Sequence, residues 1–177
     1  MREVYYGCEK ETEMADTLRV AIKEELGQLQ QIFEDNYIGK GGLLVNRDFC
    51  PDEENLIDIL VYEIEGNLIG YVNKNHVLNR VPTKWYAKYN DDNFIFINQI
   101  AIKATEQRKG HGSKIYNRIS EMHPVVYAYV NADNKLSADF HIKFGFEVVG
   151  KWEKDNYKGV DNYKAYLYRY ESMGSAM

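Results

Sequence analysis

Residues 107–112 combine two glycines with two cationic side chains directly ahead of a predicted helix. They read Gln107-Arg108-Lys109-Gly110-His111-Gly112. Glycine adopts positive φ angles and lets the backbone approach a ligand closely. The first N–H groups of a helix lack intrahelical partners and carry partial positive charge, to which Arg108 and Lys109 add full charge. We therefore predict that this cradle (residues 107–112) holds a phosphate without a metal and is best suited to a pyrophosphate.

Two common phosphate-binding motifs do not fit the cradle. A P-loop, G-x-x-x-x-G-K-[ST], is excluded because position 107 is not glycine and Ser113 follows Gly112. The dinucleotide fingerprint G-x-G-x-x-G is excluded because position 115 is Ile115. What remains is Q-x-x-G-x-G between a predicted strand, Ile95–Ile102, and a predicted helix that starts at Ser113. A plain strand-to-helix turn with solvated basic residues is the alternative interpretation.

A second strand and helix follow the cradle. Val125–Val130 reads as a strand, and residues 131–134 supply helix-capping side chains. Three apolar residues then recur at the four-residue spacing of a short helix: Leu136, Phe140 and Phe144. Gly145 is typical of a helix C-terminus, and residues 146–149 open another strand.

Both segments resemble signatures of the GNAT family of N-acetyltransferases. The cradle matches the acetyl-CoA signature Q-x-x-G-x-G, and the run from Asn134 to Phe146 is similar to N-x-x-[AS]-x-x-[FL]-[YH]-x-x-x-G-F. The resemblance covers about residues 56–170 and fits the first 55 residues only loosely. It implies one domain over residues 1–177 with an α/β (α+β) fold, the acyl-CoA N-acyltransferase fold. That fold has a single mixed, mostly antiparallel sheet, a splayed central parallel pair and helices on both faces.

The resemblance also implies acetyl-CoA as the cosubstrate, held between strands 94–102 and 125–131. The pantetheine arm would bond the backbone near Ile100 and Ile102, and the pyrophosphate would rest on the amides of the cradle. Asn134 would reach the pantetheine from the second helix, where helix capping is its alternative role. The implied cofactor-binding residues are Ile100, Ala101, Ile102, Gln107, Arg108, Lys109, Gly110, His111, Gly112, Ser113, Asn134 and Ser137.

Acetyl transfer requires a neutral amine, a donor to the thioester oxygen and a proton for the leaving thiolate. Many family members carry a tyrosine acid directly before x-x-x-G-F, where this chain has His141; Tyr129 is the other candidate. An imidazole can exchange protons at neutral pH, whereas a packing role is the alternative. Relatives often use a glutamate base on the central strand, but Asn98 and Gln99 stand there, which suggests a water chain anchored by them. The amide near Ile102 is the candidate oxyanion donor.

The N-terminal third is predicted to be mainly helical. An apolar stripe at helical spacing predicts a helix over about residues 12–35: Met14, Leu18, Ile22, Leu26, Leu29 and Phe33. The glycines of residues 39–42 then end this helix and form either a mobile lid or a plain turn. A first strand is placed within residues 3–6.

Two hairpins flank the central unit. The first joins Leu56–Ile64 to residues 68–72, and the second joins residues 146–155 to residues 163–170. Residues 79–93 are polar and aromatic and form a loop or a short helix. If the last strand is an exposed edge, its tyrosines can pair two copies as a homodimer: Tyr163, Tyr166, Tyr168 and Tyr170.

Composition narrows the function classes. The net charge of −5 over 177 residues argues against nonspecific nucleic-acid binding, which depends on phosphate neutralisation. Cys8 and Cys50 lie far apart and are expected to be reduced thiols, and the four histidines share no metal spacing, so no metal is predicted. Neither a membrane-spanning run nor a signal region is present in this sequence, which predicts a cytoplasmic protein without a membrane partner. His111 is expected to face solvent or the phosphates.

Three functions follow, in order of preference. The first is direct transfer of an acetyl group from acetyl-CoA to a primary amine of a small molecule or peptide. The second is a non-catalytic or regulatory CoA-binding module of the same fold, motivated by the missing base. The third is toxin-like acetylation of aminoacyl-tRNA, which the acidic charge balance disfavours.

Overall fold

The computed structural model describes residues 15–38, 49–75, 94–157 and 160–172. Within these ranges the chain forms seven strands and three α-helices. They are β1 (Asp16–Val20), α1 (Leu26–Phe33), β2 (Ile59–Ile64), β3 (Asn67–Asn75), β4 (Phe94–Ile102), α2 (His111–Met122), β5 (Val125–Asn131), α3 (Lys135–Phe144), β6 (Glu147–Tyr157) and β7 (Val160–Glu171). The strands join in one sheet of order β1-β2-β3-β4-β5-β7-β6. The predicted mixed, mostly antiparallel sheet is confirmed.

The central pair of strands diverges along its length. β4 and β5 are parallel and pair from Phe94 opposite Val125 to Ile97 opposite Ala128. Beyond that point β4 continues beside β3 and β5 continues beside β7, without pairing to each other. A cleft therefore opens in the middle of the sheet, as the predicted splayed pair requires.

A bulge in β4 changes which side chains face each side of the sheet. Asn73 of β3 lies opposite Gln99, whereas its neighbour Lys74 lies opposite Ile97, so Asn98 is an extra residue in β4. Before the bulge the odd-numbered residue Ile97 packs toward α2; after it the even-numbered Ile100 does so. The bulge thus turns Gln99 toward the opposite face, where it meets β3 side chains.

The two faces of the sheet are covered by different helices. On one face Ile115 and Ile119 of α2 are fully buried against the sheet, with Phe140 of α3 at the margin of the same cluster. On the other face Leu29 and Phe33 of α1 are buried against β2 and β3. Helices on both faces, as predicted, make a core on each side of the sheet. No helix in the described ranges is long and apolar enough to cross a lipid bilayer.

The predicted N-terminal helix is wrong over residues 16–20, which form β1. Leu18 and Val20 are also separated by two residues, the period of a strand, so the apolar stripe fits both structures. Pairing decides between them, because β1 hydrogen-bonds along β2 with Leu18 opposite Tyr62 and buries Leu18 against the core. The helix proper is confined to α1.

Both predicted hairpins are present. Glu65 and Gly66 link β2 and β3 with φ angles of 50° and 74°, the left-handed pair that a two-residue hairpin turn requires. β6 and β7 pair antiparallel from Glu147 to Tyr157. Because β7 lies between β5 and β6, the premise that the tyrosine-rich last strand is an exposed edge is wrong. The predicted strand within residues 3–6 and the segments 39–42 and 79–93 lie outside the described residues.

Asp16 connects β1 to both β2 and α2. Its carboxylate accepts hydrogen bonds from the Arg118 guanidinium at 2.6 and 3.1 Å and from the Tyr62 hydroxyl at 2.9 Å. Arg118 is the main reason why the pKa of Asp16 lies below its ordinary value of 3.8. Asp16→Asn should therefore lower the free energy of unfolding at pH 7 by about 1 kcal/mol, measured by urea denaturation.

The pH dependence and a control make this test specific. A carboxylate whose pKa is lowered on folding stabilises above its unfolded pKa, so the difference between wild type and Asp16→Asn should shrink as the pH falls below 3.8. Glu121, an exposed partner of the same Arg118 at 3.2 Å, provides the matched control, and Glu121→Gln should have almost no effect. A constant difference between pH 7 and pH 3 would argue that the carboxylate charge does not matter.

Candidate active site

A cavity of about 860 Å³ occupies the cleft between β4 and β5. At one end it is lined by cradle residues at the start of α2, and at the other by residues of the β6–β7 hairpin. It passes through the sheet, because its walls include residues packed on both faces. One continuous space therefore joins the cradle to the far face of the sheet.

The cradle is a concave backbone loop. Arg108 and Gly110 have φ angles of 65° and 85°, and Gly110 is the N-cap of α2. The amides of Ser113 and Lys114 bond back to the Gly110 carbonyl at 3.1 and 3.2 Å. Left-handed residues that interrupt a chain of amides turn successive N–H groups toward one point, which is an anion-binding arrangement. The helix start directly behind it adds partial positive charge.

The full charges of the cradle are not all directed at the cavity. Lys109 forms an ion pair with Glu106 at 3.0 Å, and it is the main cause of the lowered pKa of Glu106. Arg108 lines the cavity, whereas Lys109 does not. Among the described residues that line the cavity, Arg108 is thus the one strongly basic side chain, and it could bind an anion there.

The His111 ring is buried rather than facing solvent. The residue is 8% exposed, and the ring centroid lies 5.8 Å from that of Tyr62. Its Nε2 lies 3.5 Å from a carboxylate oxygen of Glu106, and neither ring nitrogen forms a hydrogen bond among the described residues. Any contribution of His111 to an anion in the cradle is therefore expected from its backbone amide.

The cleft edge of β4 presents alternate backbone groups. The amide of Lys103 donates to the Ile69 carbonyl of β3 at 2.9 Å. In an antiparallel pair the residues alternate in the side to which their N–H and C=O groups point. Ala101 therefore bonds to β3, whereas the groups of Ile100 and Ile102 point away from β3 into the cleft.

Two side chains that follow α1 bond to these carbonyls. The Tyr37 hydroxyl donates to the Ile100 carbonyl at 3.0 Å, and Asn36 Nδ2 donates to the Ile102 carbonyl at 3.0 Å. Gln107 Nε2 donates to the same Ile102 carbonyl at 3.1 Å and to Asn36 Oδ1 at 2.8 Å. The carbonyls of Ile100 and Ile102 are therefore already hydrogen-bonded. In the described part of the chain, the N–H groups of the same two residues remain on this edge of β4 for a ligand to bond.

Asn36 and Tyr37 are site residues that the sequence analysis missed. They lie in a single π-helical turn, Glu34–Ile38, that prolongs α1. Such turns are frequent at functional sites. Burial raises the pKa of Tyr37, and the neighbouring Gln99 side chain opposes that shift. No motif marks this pair in the sequence, because its role depends on contacts with β4 more than 60 residues away.

The start of α3 combines capping with cavity lining. Asn134 accepts a hydrogen bond from the amide of Ser137 at 3.1 Å, so its expected capping role is present. Both residues also line the cavity. The capping bond uses Oδ1 of Asn134, and the Nδ2 group of the same amide is the donor that a ligand would meet.

His141 is held by hydrogen bonds at both ring nitrogens. Nδ1 lies 2.7 Å from the Ser137 carbonyl, which can only accept, so Nδ1 carries the proton. In the neutral ring Nε2 is then an acceptor, and the Tyr116 hydroxyl donates to it at 2.8 Å. Burial is the main cause that lowers the pKa of His141, and the bond to Ser137 opposes it. His141 is therefore neutral at pH 7.

The buried neutral histidine should make stability depend on pH. Because the pKa of His141 lies below its ordinary value of 6.5, the unfolded chain takes up a proton first as the pH falls below 6.5. The free energy of unfolding should then decrease by up to about 1.4 kcal/mol per pH unit. Urea denaturation between pH 7.5 and pH 5 measures this slope. In His141→Gln the free energy of unfolding should change less steeply with pH. Equal slopes in the two proteins would contradict the conclusion that His141 is buried in its neutral form.

Tyr129 lies on the other face of the sheet from His141. Its ring packs against Phe96 at 5.6 Å, in the cluster opposite α2, whereas the next residue, Val130, packs toward α2. Burial raises the pKa of Tyr129 to about 12, so its phenol is protonated at neutral pH. The two predicted catalytic side chains line one cavity but are separated by the sheet.

Gln99 is the polar group of β4 that the bulge directs into the core. It is 5% exposed, and its Oε1 accepts from the Tyr71 hydroxyl at 2.8 Å. Its Nε2 is buried and makes no hydrogen bond among the described residues, although the side chain lines the cavity. The neighbouring Asn98 donates to Asn73 at 2.9 Å. A buried N–H without a partner fits a bound water molecule or ligand oxygen.

The sequence profile of the acetyltransferase (GNAT) family matches residues 26–146 of this chain. The chain belongs to the GNAT family. The predicted family is thereby confirmed, and with it an acetyltransferase fold built around the cleft. No curated protein matches the chain at a significant level.

Solved structures agree with the GNAT fold. Arabidopsis thaliana NAA60, solved with a bisubstrate analogue, superimposes with a TM-score of 0.65 at 18% identity, over 89% of this chain and 99% of that one. YncA of Salmonella typhimurium, described as a putative acetyltransferase and solved with its cofactor acetyl-CoA, gives 0.63 at 17% identity, over 92% and 97%. An N-acetyltransferase of Staphylococcus aureus Mu50 gives 0.62 at 20% identity, over 89% and 98%. At such identities these GNAT structures establish the fold alone.

Proposed function

We propose that this protein moves an acetyl group from acetyl-CoA to a primary amine of a small molecule or peptide by direct transfer. The observation that carries the proposal is the continuous cavity from the cradle, through the cleft between β4 and β5, to the far face of the sheet. A donor bound from one side and an acceptor from the other would meet in that cleft. Holding two reactants together can supply much of the rate acceleration.

The residues of the cofactor half suit a CoA molecule. The concave amides of residues 107–112, the start of α2 and Arg108 are complementary to a pyrophosphate. The N–H groups of Ile100 and Ile102 can pair with the amides of the pantetheine arm in the manner of an added strand, and Asn134 lines the same cavity. Bound there, CoA would carry the acetyl group as a thioester.

The reacting groups can be assigned to three tasks. The amide of Ile102 is the proposed donor to the thioester oxygen as charge develops on it. A chain of water molecules that begins at Gln99 Nε2 is proposed to carry the amine proton to bulk solvent, because that N–H is buried and forms no hydrogen bond among the described residues. The proton for the leaving thiolate is assigned to Tyr129 or His141. The single proton of neutral His141 lies on Nδ1 at the Ser137 carbonyl, and Nε2 accepts from the Tyr116 hydroxyl, so His141 could donate only after Nε2 is protonated and the Tyr116 hydroxyl turns to accept from it.

The experiment measures thiol release from acetyl-CoA across a panel of amines, with acetyl-CoA binding measured separately by calorimetry. Binding together with amine-dependent thiol release supports the proposal. No binding at millimolar acetyl-CoA would overturn it. Tyr129→Phe and His141→Gln then separate the two acid candidates, since only loss of the acid should lower kcat by about 100-fold or more at unchanged affinity for acetyl-CoA.

One observation favours a second function, a CoA-binding module without turnover. Among the described residues that line the cavity, the single carboxylate is Glu106, which lies beside the cradle and is paired with Lys109. No carboxylate base thus faces the acceptor side in this part of the chain. Calorimetric binding of acetyl-CoA, combined with no acetylation of any amine or peptide tested, would favour this function.

A further inference from the structure

The acceptor side of the cavity is walled by aromatic rings from three neighbouring strands. They are Tyr129 of β5, Trp152 and Tyr157 of β6, and Tyr163 of β7, here called the aromatic wall. All four rings are half-buried and line the cavity. Tyr129 and Leu167 pack in the cluster on the face opposite α2 and α3. Tyr163 shares that face because it lies four residues before Leu167 in β7, and Trp152 does so because it pairs with Ala165. An acceptor entering from this face would meet these rings first.

The rings form one continuous surface. Trp152 lies at its centre, with its ring centroid 4.7 Å from that of Tyr157, 5.4 Å from Tyr163 and 6.4 Å from Tyr129. Tyr157 and Tyr163 are themselves 5.0 Å apart. These spacings are those of mutually packed aromatic rings. The surface is therefore preformed, with its rings held in place by one another before any ligand binds.

Among the described residues, no acidic side chain lines the acceptor half of the cavity. Of the described residues that line the cavity, only Glu106 and Arg108 are an acid or a strong base, and both lie at the cradle end. Among the described residues that line this half of the cavity, a polyamine would find no acid to pair with its ammonium groups. Burying an unpaired charge costs several kcal/mol, so an acceptor with several ammonium groups is disfavoured.

A cation already lies on the wall. Lys154 Nζ is 5.4 Å from the centroid of the Tyr157 ring, within the range of a cation–π contact. This ammonium would repel a second positive charge brought against the same ring. The part of the acceptor that packs on the wall is therefore expected to carry no positive charge.

We propose that the aromatic wall binds the aromatic body of an arylalkylamine, with its amino group directed toward the β4–β5 cleft. This inference rests on the proposed acetyltransferase function and names the class of its acceptor. An aromatic body gains both apolar burial and ring packing against Trp152. The amine at the end of a short alkyl chain is directed toward Gln99, whose Nε2 is buried near the Tyr37 side chain and forms no hydrogen bond among the described residues.

Matched acceptors test the aromatic body and the charge argument. Hexylamine keeps a primary amine on an alkyl chain but lacks the ring of phenethylamine, and spermidine represents polyamines. We expect kcat/KM for tryptamine and for phenethylamine to exceed that of hexylamine and of spermidine by at least about 10-fold, because hexylamine lacks the ring packing and spermidine brings further positive charge near Lys154. Equal or better kcat/KM with hexylamine or spermidine would overturn the inference.

Matched variants test the wall itself. Trp152→Leu removes the central ring but keeps an apolar side chain, and it should raise KM for tryptamine about 10-fold without changing the dissociation constant of acetyl-CoA. Trp152→Phe should retain KM within about threefold. Tyr166→Leu removes a ring from the same hairpin on the face toward α2, outside the cavity, and should leave KM unchanged. Unchanged KM in Trp152→Leu would overturn the inference.

A binding measurement separates failure of this inference from failure of the proposed function. Tryptamine should bind the CoA-saturated wild-type protein in calorimetry, and Trp152→Leu should weaken that binding about 10-fold. If acetyl-CoA binds and other amines are acetylated without preference for arylalkylamines, only the acceptor class is wrong. If acetyl-CoA does not bind, or no amine is acetylated, the proposed function fails and the acceptor class fails with it.

Discussion

Replacing Gly110 and Gly112 together by valine should weaken acetyl-CoA binding by at least about 100-fold, or about 2.7 kcal/mol. Gly110 has a φ of 85°, a conformation that a β-branched residue rarely adopts, so the amides of the cradle would turn away from their common point. A side chain at Gly112 would begin 3.1 Å from the Phe140 ring and push the first turn of α2 away from α3. Calorimetry with acetyl-CoA measures the loss.

Gly66 provides the matched control for this change. Its φ of 74° is similar to that of Gly110, and a side chain would meet nothing within 4 Å at either position. Gly66→Val should therefore carry comparable backbone strain but leave the affinity for acetyl-CoA unchanged, because the β2–β3 turn is not part of the cavity lining. An affinity of the double variant within about threefold of the wild type would overturn the cradle assignment.

Gly70→Ala should lower the free energy of unfolding by about 3 kcal/mol, the upper end of what overpacking usually costs. A Cβ at this position would clash with the Ala101 carbonyl oxygen and stand 3.1 Å from the Ile102 Cα. Both are backbone atoms of β4, so the strand itself would have to move. Urea denaturation of the apoprotein measures the change as a shift of the midpoint at constant slope.

Gly27→Ala is the contrasting substitution in α1. Nothing lies within 4 Å of a Cβ built at Gly27, and alanine favours the helical conformation by about 1 kcal/mol over glycine. The same glycine-to-alanine change should therefore raise the free energy of unfolding at Gly27 and lower it at Gly70. A stable Gly70→Ala protein with an unchanged midpoint would show that β3 and β4 can separate without cost. Because Ile102 belongs to the cleft, Gly70→Ala should also weaken acetyl-CoA binding.

Short sequence patterns correctly predicted the features that depend only on a few adjacent residues. The cradle follows β4 and precedes α2 because glycine conformations and helix starts are properties of a few adjacent residues. The Glu65–Gly66 turn and the capping at Asn134 were likewise readable from short segments. β1 was misread because its apolar residues fit both periodicities, and only pairing with β2 chose the strand.

The sequence by itself determined a GNAT-type α/β unit with a glycine-containing loop at the start of α2, since those features need only neighbouring residues. Tertiary structure alone decided which side chains line the rest of the cavity. The Asn98 bulge directs Gln99 into the cavity, Tyr37 reaches β4 from the end of α1, and distant strands bring Tyr129 and Trp152 together. The physical reason is that these contacts depend on register and on the divergence of β4 and β5, which are set by packing across the whole sheet.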